Sequence, residues 1–369
     1  MMKMTKLTNR AAALLAVSIL LAGCGGGTAQ SSAASESSSA AETTAAAETT
    51  KAAEETAAAE SAAAEAAGET EAAVQSEGID KVTLTYVQSP LNVPSIVERD
   101  EELFQKAFAQ NGIETVEYSN LTTGPEQTQA LASGDIQFLN AVGATSVFLS
   151  AANGADIKII SMYSRSPKAF MLFSKDDAIQ SAEDLKGKTI GGPKGTILYE
   201  LLIAYLDQAG MTEQDVNFVN MGIPDAQAAL TGGSVDAALL AGPTAYNMQK
   251  DGYHVVTDGE GLTDATIVTA TTQAFYDEHP ELVESFLSAQ ADALSFMEEH
   301  YDETVALAAK ATELSEDAVK EMYGMYDFSM EITDADIAGM EKTEDFMKET
   351  GMIETDVDVK SLILDRGEN

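Results

Sequence analysis

Cysteine, tryptophan and histidine are nearly missing from this chain of 369 residues, which has one cysteine, no tryptophan and three histidines. The single cysteine, Cys24, excludes an internal disulfide and leaves the folded part without a thiolate for catalysis or metal binding. His254, His279 and His300 stand far apart and in no metal-ligand spacing. A catalytic base needs a positioned partner, so we interpret each histidine as structural. The sequence therefore predicts no metal and no cofactor.

Motifs for nucleophilic catalysis and phosphate binding are missing as well. No Gly-x-Ser-x-Gly elbow occurs. The "GKT" at 187–189 lacks the upstream glycine of a phosphate loop, because Ala182 stands at that position. Carboxylate pairs such as Asp176 and Asp177 carry little weight in a chain with 60 acidic residues. These absences favour a binding protein over an enzyme.

Basic residues are few, since 21 Lys and Arg face 60 Asp and Glu and the net charge is −39. A surface this acidic repels nucleic acid and anionic lipid, so we expect neither as a partner. The acidity itself indicates a solvated surface and does not identify a ligand.

The first 24 residues are typical of an exported lipoprotein. A basic start precedes an apolar run at 11–22, which is too short to span a membrane. The run ends in Leu21-Ala22-Gly23-Cys24, which matches the bacterial lipobox. We therefore predict a signal peptide at 1–23, lipidation of Cys24, and a protein anchored to the extracytoplasmic face of the cell membrane.

A linker follows at 24–78, composed almost entirely of Ala, Ser, Thr and Glu. Such a segment cannot bury enough apolar surface to offset its ordering entropy, so we predict a disordered acidic stalk.

From residue 79 the signals alternate between strands and helices, which predicts an α/β fold with mostly parallel sheets. One helix is predicted over 97–112, and another begins at Pro280. Two crossovers, at 163–173 and 261–271, divide the chain into two lobes. The predicted parts are lobe 1 at 79–172, lobe 2 at 173–265, and a completion of lobe 1 with C-terminal helices at 266–369.

Polar loops rich in small residues follow the predicted strands. Loops at the carboxyl ends of strands meet at one cleft, and helix N-termini there favour an anion. The six loops are "QSPLN" (88–92), "TTGPE" (122–126), "GATS" (143–146), "SRSPK" (164–168), "PKGT" (193–196) and "AGPT" (241–244).

The chain resembles solute-binding proteins of ABC importers, in the nitrate, sulfonate, taurine and pyrimidine-precursor group with the type 2 periplasmic-binding fold. The resemblance spans residues 80 to 300 and includes "TTGPEQTQALASGDIQF", "SAEDLKGKTIGGPKGTILYELL" and "GSVDAALLAGPTA". It implies a small anionic ligand, an ABC permease with its ATPase as partners, and a monomer. It also implies cleft residues, namely Gln88, Asn92, Thr123, Gly124, Ala144, Thr145, Gly195, Thr196, Gly242 and Pro243.

Arg165, one of three arginines beyond the leader, is a further candidate. Its guanidinium could clamp a sulfonate or carboxylate with two hydrogen bonds, or pair with a surface acid. Lys194 is another candidate: either its ammonium contacts the ligand, or its side chain points to solvent and the backbone alone binds. Tyr199 is a candidate cleft wall, as are Tyr163 and Phe170, although aromatic residues on strands and helices usually belong to the core.

The function that we expect is capture of a small organic anion, such as an aliphatic sulfonate, taurine or nitrate, and its delivery to the permease. Three alternatives stay open. The ligand could be a pyrimidine, thiamine or flavin precursor, or the lipoprotein could be a ligand sensor. An enzyme on the same fold would need a histidine or cysteine cluster around a cofactor.

Overall fold

The computed structural model describes residues 78–88 and 90–367. The predictions of a signal peptide, a lipidated Cys24 and a linker concern residues that lie outside this part of the chain. Within it, no helix combines the length and the apolar character that crossing a bilayer requires.

Ten strands are present in the described part, and they form three hydrogen-bonded sheets of two, three and five strands, the first two of which are joined by one bridge and are treated together below. Their bounds are β1 Lys81–Thr85, β2 Thr115–Ser119, β3 Leu139–Gly143, β4 Lys158–Arg165, β5 Phe170–Ser174, β6 Thr189–Gly192, β7 Asn217–Asn220, β8 Ala237–Ala241, β9 His254–Asp258 and β10 Thr266–Thr271.

The two joined sheets, together called sheet I, have the order β2-β1-β3-β10-β4. Strands β1 and β2 are parallel, and a single parallel bridge from Leu84 to Phe138 joins them to the start of β3. Sheet II has the order β7-β6-β8-β5-β9. In sheet I, β10 runs antiparallel to both neighbours, and in sheet II β5 does the same. The sheets are therefore mostly parallel with one reversed strand each. Of the reversed strands, β5 overlaps the predicted crossover at 163–173 and β10 lies within the one at 261–271.

The helices of the described residues cover these sheets. Their bounds are α1 Val93–Asp100, α2 Leu103–Ala109, α3 Gly124–Ala132, α4 Ala144–Ala152, α5 Ile197–Gln208, α6 Ile223–Gly232, α7 Gly242–Lys250, α8 Gln273–Glu278, α9 Pro280–Glu299, α10 Tyr301–Thr312, α11 Glu316–Tyr323, α12 Asp334–Glu349 and α13 Val359–Leu362.

The helix predicted to start at Pro280 is present, and it ends at Glu299. The prediction of one continuous helix over 97–112 is wrong, because two helices, α1 and α2, are present there. The chain breaks between α1 and α2, where Glu102 adopts a left-handed conformation with φ 54°. Helical periodicity on both sides hides such a break, because a single left-handed residue leaves the pattern almost unchanged.

The central strands are buried along their whole length. Each residue of β8 is buried, as is each residue of β5 and of β10. Strands covered by helices on both faces are expected to be apolar, and β5 and β8 are apolar apart from Ser174, whereas β10 has three buried threonines. Their buried positions fix the sheets rigidly, so the loops at their ends can hold a site.

Candidate functional site

A cavity of about 160 Å³ lies where the loops after the strands of both sheets meet. Sheet I contributes β3 and the N-termini of α3 and α4, and sheet II contributes β8 and the N-termini of α5, α6 and α7. The lining residues are Val87, Pro90, Thr122, Thr123, Gly124, Gln127, Ala141, Gly143, Ser146, Phe170, Pro193, Thr196, Ile197, Leu198, Ile223, Pro224, Ala241, Thr244 and Ile267.

Five helix N-termini thus face one cavity. A helix N-terminus presents unpaired backbone N–H groups and carries about half a positive charge, so it attracts anions. Each of these five helices has at least nine residues. The arrangement can stabilise a negative charge without a cationic side chain.

The starts of α4, α5, α6 and α7 have no side-chain acceptor at the N-cap, whereas α3 has a capping box, and a proline in the first turn removes one N–H group from each of α3, α6 and α7. Helices α4, α6 and α7 have Gly143, Gly222 and Ala241 at the N-cap, none of which has a polar side chain to accept a hydrogen bond. Helix α5 has Thr196 at the N-cap, but its hydroxyl donates to the carbonyl of Pro193 at 2.8 Å. A ligand oxygen is therefore the natural acceptor for these helix starts.

Two glycines allow the helix starts to come this close. A Cβ atom on Gly124 would lie 2.1 Å from Oγ of Ser146, so glycine lets α3 and α4 meet at the cavity. Gly242 has φ +60°, and a Cβ atom there would lie 1.8 Å from the carbonyl oxygen of Pro90. Both glycines were predicted as cleft residues, and the structure gives each a steric reason.

No lining residue among those that the structure describes carries a formal charge. The polar lining groups are backbone amides, the Gln127 amide and hydroxyls such as Thr244. The Nε2 atom of Gln127 donates to the carbonyl of Leu121 at 3.0 Å, which fixes the orientation of that amide. The apolar residues of the lining, called the apolar wall, include Phe170 and Ile223. The cavity therefore suits a ligand that combines an anionic group with an uncharged apolar part.

The structure brings some predicted site residues to this cavity and leaves others beside it. Thr123, Gly124 and Thr196 line it. Five others lie in the same helix starts without belonging to the lining set: Ala144, Thr145, Gly195, Gly242 and Pro243.

Gln88, Asn92 and Tyr199 are directed elsewhere. The Nε2 atom of Gln88 donates to the carbonyl of Ala311 at 2.7 Å. Asn92 is buried, and its Nδ2 atom donates to the carbonyl of Val87 at 2.8 Å. The Tyr199 hydroxyl donates to Glu213 at 2.6 Å, and the ammonium of Lys194 bonds the same carboxylate at 2.9 Å. The hydrogen bonds of these residues go to other parts of the protein, so their role is structural.

Arg165 is absent from the cavity wall, contrary to its prediction as a clamp. Its Nε and Nη2 atoms donate to the carboxylate of Asp336 at 2.5 and 2.6 Å, and Nη1 donates to Oγ of Ser329 at 2.8 Å. Burial alone would raise the pKa of Asp336, but hydrogen bonds from Arg165 and Thr333 lower it to about 2. Asp336 lies in the C-terminal segment, 171 positions after Arg165, so local sequence patterns could not predict this ion pair.

Some lining residues were missed by sequence reasoning. Ile223 and Pro224 follow β7 just as other cleft residues follow their strands, so the same strand-to-helix signal was present at that loop. Gln127 lies in the first turn of α3, one residue beyond the candidate loop at 122–126. Thr244 lies in the first turn of α7 and inside the candidate loop at 241–244, but it was not named as a cleft residue.

A buried polar network supports the cavity from behind. Glu98 on α1 is fully buried and accepts a hydrogen bond from Nδ2 of Asn140 at 2.5 Å. Burial raises the pKa of Glu98 to about 8, although hydrogen bonds from Asn140 and Ser95 act in the opposite direction. The next residue, Ala141, lines the cavity with φ 77°, a strained value for a residue with a side chain. Asn140 therefore links the buried carboxyl to a strained residue of the site.

Comparison with known proteins places the chain in a family. A model of the family described as NMT1/THI5 like matches residues 104–304, more than half of the chain. The chain belongs to the NMT1/THI5-like family. This NMT1/THI5-like protein is 30% identical over 275 residues to a Bacillus subtilis (strain 168) protein whose name describes binding of aliphatic sulfonates, covering 73% of this chain and 82% of that one. It is also 30% identical over 190 residues to the taurine-binding periplasmic protein of Escherichia coli (strain K12), covering 50% of this chain and 58% of that one.

Solved structures show the fold of this NMT1/THI5-like protein. The alkanesulfonate-binding protein SsuA from Xanthomonas axonopodis pv. citri, bound to MOPS, superposes with a TM-score of 0.70 at 20% identity, covering 77% of this chain and 98% of that one. The periplasmic-binding-protein α/β fold expected from the sequence is thereby confirmed. The desulfurization enzyme DSZB has the same fold, with a TM-score of 0.58 at 19% identity, covering 78% of this chain and 97% of that one. The fold therefore occurs in binding proteins and in at least one enzyme.

Proposed function

We propose that this protein is the solute-binding component of an ABC importer and that it holds an aliphatic sulfonate in the cavity. The observation that carries the proposal is the convergence of five helix N-termini on a cavity whose described lining has no charged side chain. The names of the sulfonate and taurine relatives support the ligand class. We further propose that sheets I and II are the cores of the two lobes, with the predicted boundaries at 172/173 and 265/266, and that closure of the lobes encloses the ligand.

The cavity favours a sulfonate with an uncharged tail over taurine or nitrate. Taurine carries an ammonium, and burying an unpaired ammonium costs several kcal/mol. The described lining offers it no carboxylate. Nitrate has no tail to fill the apolar wall formed by residues such as Ile197 and Leu198, which would lose the burial contribution of about 0.8 kcal/mol per CH₂.

Two alternatives receive less support. A flavin or pyrimidine precursor would gain from stacking, but Phe170 is the one aromatic ring in the described lining. The volume of about 160 Å³ is also smaller than the roughly 300 Å³ at which pockets for drug-sized ligands begin. We propose a binding role without catalysis, because hydroxyls, amides and apolar groups make up the described lining and none of them is a ready general base.

Thermal unfolding tests the ligand class. A ligand that binds the folded state stabilises it by about 2.7 kcal/mol at 100 times its Kd. We expect ethanesulfonate and hexanesulfonate to raise the Tm, and taurine, nitrate and riboflavin to raise it less or not at all. Ethanesulfonate and taurine form a matched pair because they differ by the amino group. No shift with any alkanesulfonate would overturn the proposed function.

We also propose that the protein is a monomer held at the extracytoplasmic face by lipid on Cys24, next to its permease and ATPase. Cys24→Ser should release the protein from the membrane fraction of the producing cell without changing its sulfonate affinity. Retention of the variant in the membrane fraction would contradict the anchor and leave the ligand assignment intact.

A further inference from the structure

Glu200 is a buried carboxyl group next to the cavity, and the proposed binding mode does not use it. It lies in the first turn of α5, four residues after the cavity residue Thr196. Only 3% of Glu200 is exposed, and it is not a lining residue.

Three threonine hydroxyls donate to the Glu200 carboxylate, and they come from three separate segments. Thr145, in the first turn of α4, donates to Oε2. Thr263 donates to Oε1 at 2.9 Å and Thr343 donates to the same oxygen at 3.3 Å. Burial raises the pKa of Glu200, whereas each of these hydrogen bonds lowers it.

These hydrogen bonds connect the two sheets. Helix α5 packs on β5 and β8 of sheet II, whereas α4 packs on β3 and β10 of sheet I. Thr263 lies in the crossover from β9 to β10, and Thr343 lies on α12, which packs against α4. One carboxylate on the sheet II side therefore collects hydrogen bonds from a sheet I helix, from a crossover and from a C-terminal helix.

The same two helices also meet at the cavity itself. Oγ of Ser146 donates to the carbonyl of Gly195 at 2.8 Å. A Cβ atom on Gly143 would lie 3.1 Å from Cδ1 of Ile197, so the glycine allows the start of α5 to pack against the start of α4. Any rotation that opens the cavity between the sheets must separate these two helix starts, and the bond from Thr145 to Glu200 crosses the same gap.

We propose that Glu200 is a positioning residue: its hydrogen bond from Thr145, called the latch, holds α4 and α5 together in the closed arrangement. Glu200 thereby raises ligand affinity without touching the ligand. This inference rests on the proposed function. A bond made only in the closed state shifts the equilibrium toward the binding-competent form, and the apparent affinity rises with the population of that form. The bond adds little to the ligand-free open state, where the two helices are apart.

Thr145→Val tests the latch, because valine matches threonine in shape and lacks the hydroxyl. We expect calorimetric titration with ethanesulfonate to give about tenfold weaker binding, in line with a lost hydrogen bond to a carboxylate. The ligand-free Tm should stay within about a degree of the wild type. Thr343→Val should weaken binding in the same direction by a smaller factor, because its bond is longer.

Thr304→Val is the matched control. Thr304 is fully buried, and its hydroxyl has no hydrogen-bond partner within the described chain, so its loss should leave sulfonate affinity unchanged. For Thr145→Val, the drop in Tm relative to the wild type is compared without and with ligand. Equal drops would show that the bond has a merely structural role and would overturn the latch. Unchanged affinity in both test variants would also overturn it while leaving the proposed function standing. Failure of the wild-type protein to bind any alkanesulfonate would overturn both.

Discussion

Replacing Glu98 with glutamine is expected to remove a pH-dependent loss of stability. The carboxyl is fully buried on α1, and burial raises its pKa to about 8 from the ordinary value of 4.5 for a glutamate. Because the folded pKa is the higher one, the protonated carboxyl contributes its full stability below pH 4.5. That contribution is lost as pH rises towards 8, since the unfolded chain releases the proton first.

The size of the effect follows from the pKa difference. One pH unit between the two pKa values corresponds to about 1.36 kcal/mol, so the wild type loses roughly 3 kcal/mol of unfolding free energy between pH 5 and pH 8 through Glu98. Glutamine is close in shape to the protonated acid and does not titrate. The other titrating groups are common to both proteins, and the difference between their stability curves isolates Glu98.

Urea unfolding followed by far-UV circular dichroism at pH 5, 6, 7 and 8 measures this difference, and the missing tryptophan makes dichroism the better probe. Asp100→Asn, at the exposed end of the same helix, controls for loss of a carboxylate. We expect the advantage of Glu98→Gln over the wild type to grow with pH. Parallel curves for the two proteins would refute the assignment of a buried, protonated Glu98.

Three further substitutions test the site and its surroundings. Gly242→Ala should abolish sulfonate binding and lower the unfolding free energy by well over 1 kcal/mol, because the new Cβ atom clashes with Pro90 and φ is positive. Gly252→Ala is its control, since φ is also positive there but the space is open. This variant should lower the unfolding free energy by about 1 kcal/mol and leave binding unchanged in titration calorimetry. Arg165→Met should leave binding unchanged and lower stability at pH 7 by about 1 to 2 kcal/mol. That loss should shrink as pH falls from 3.8 through about 2, where Asp336 becomes protonated in the wild type, and a pH-independent loss would contradict the pairing. Ala141→Gly should relieve backbone strain, which adds about 1 kcal/mol to the unfolding free energy and raises the Tm. An unchanged or lower Tm would show that the positive φ is not strained.

Local sequence patterns predicted much of the fold. Alternating strand and helix patterns placed the strands, and small residues at strand ends located the helix starts that face the cavity. Thr123, Gly124 and Thr196 could be found in this way because each is part of a turn whose chemistry is local.

Long-range pairings could not be predicted from the same signals. Arg165 meets Asp336 across 171 positions, and no local pattern distinguishes that acid from the 59 others. The break at Glu102 and the strained φ of Ala141 depend on tertiary packing that overrides local preference. The three hydroxyls around Glu200 come from residues up to 143 positions away from it in the sequence, so only the folded chain reveals them.

The central claim is that backbone N–H groups at helix starts, and not cationic side chains, neutralise the ligand. A crystal structure with hexanesulfonate, located by the anomalous signal of its sulfur, tests this claim most directly. We expect the sulfonate oxygens to lie about 3 Å from backbone nitrogens at the starts of several of the helices α3 to α7, with the tail against the apolar wall. A sulfonate paired with a lysine or arginine side chain, or bound outside the cavity, would contradict the account.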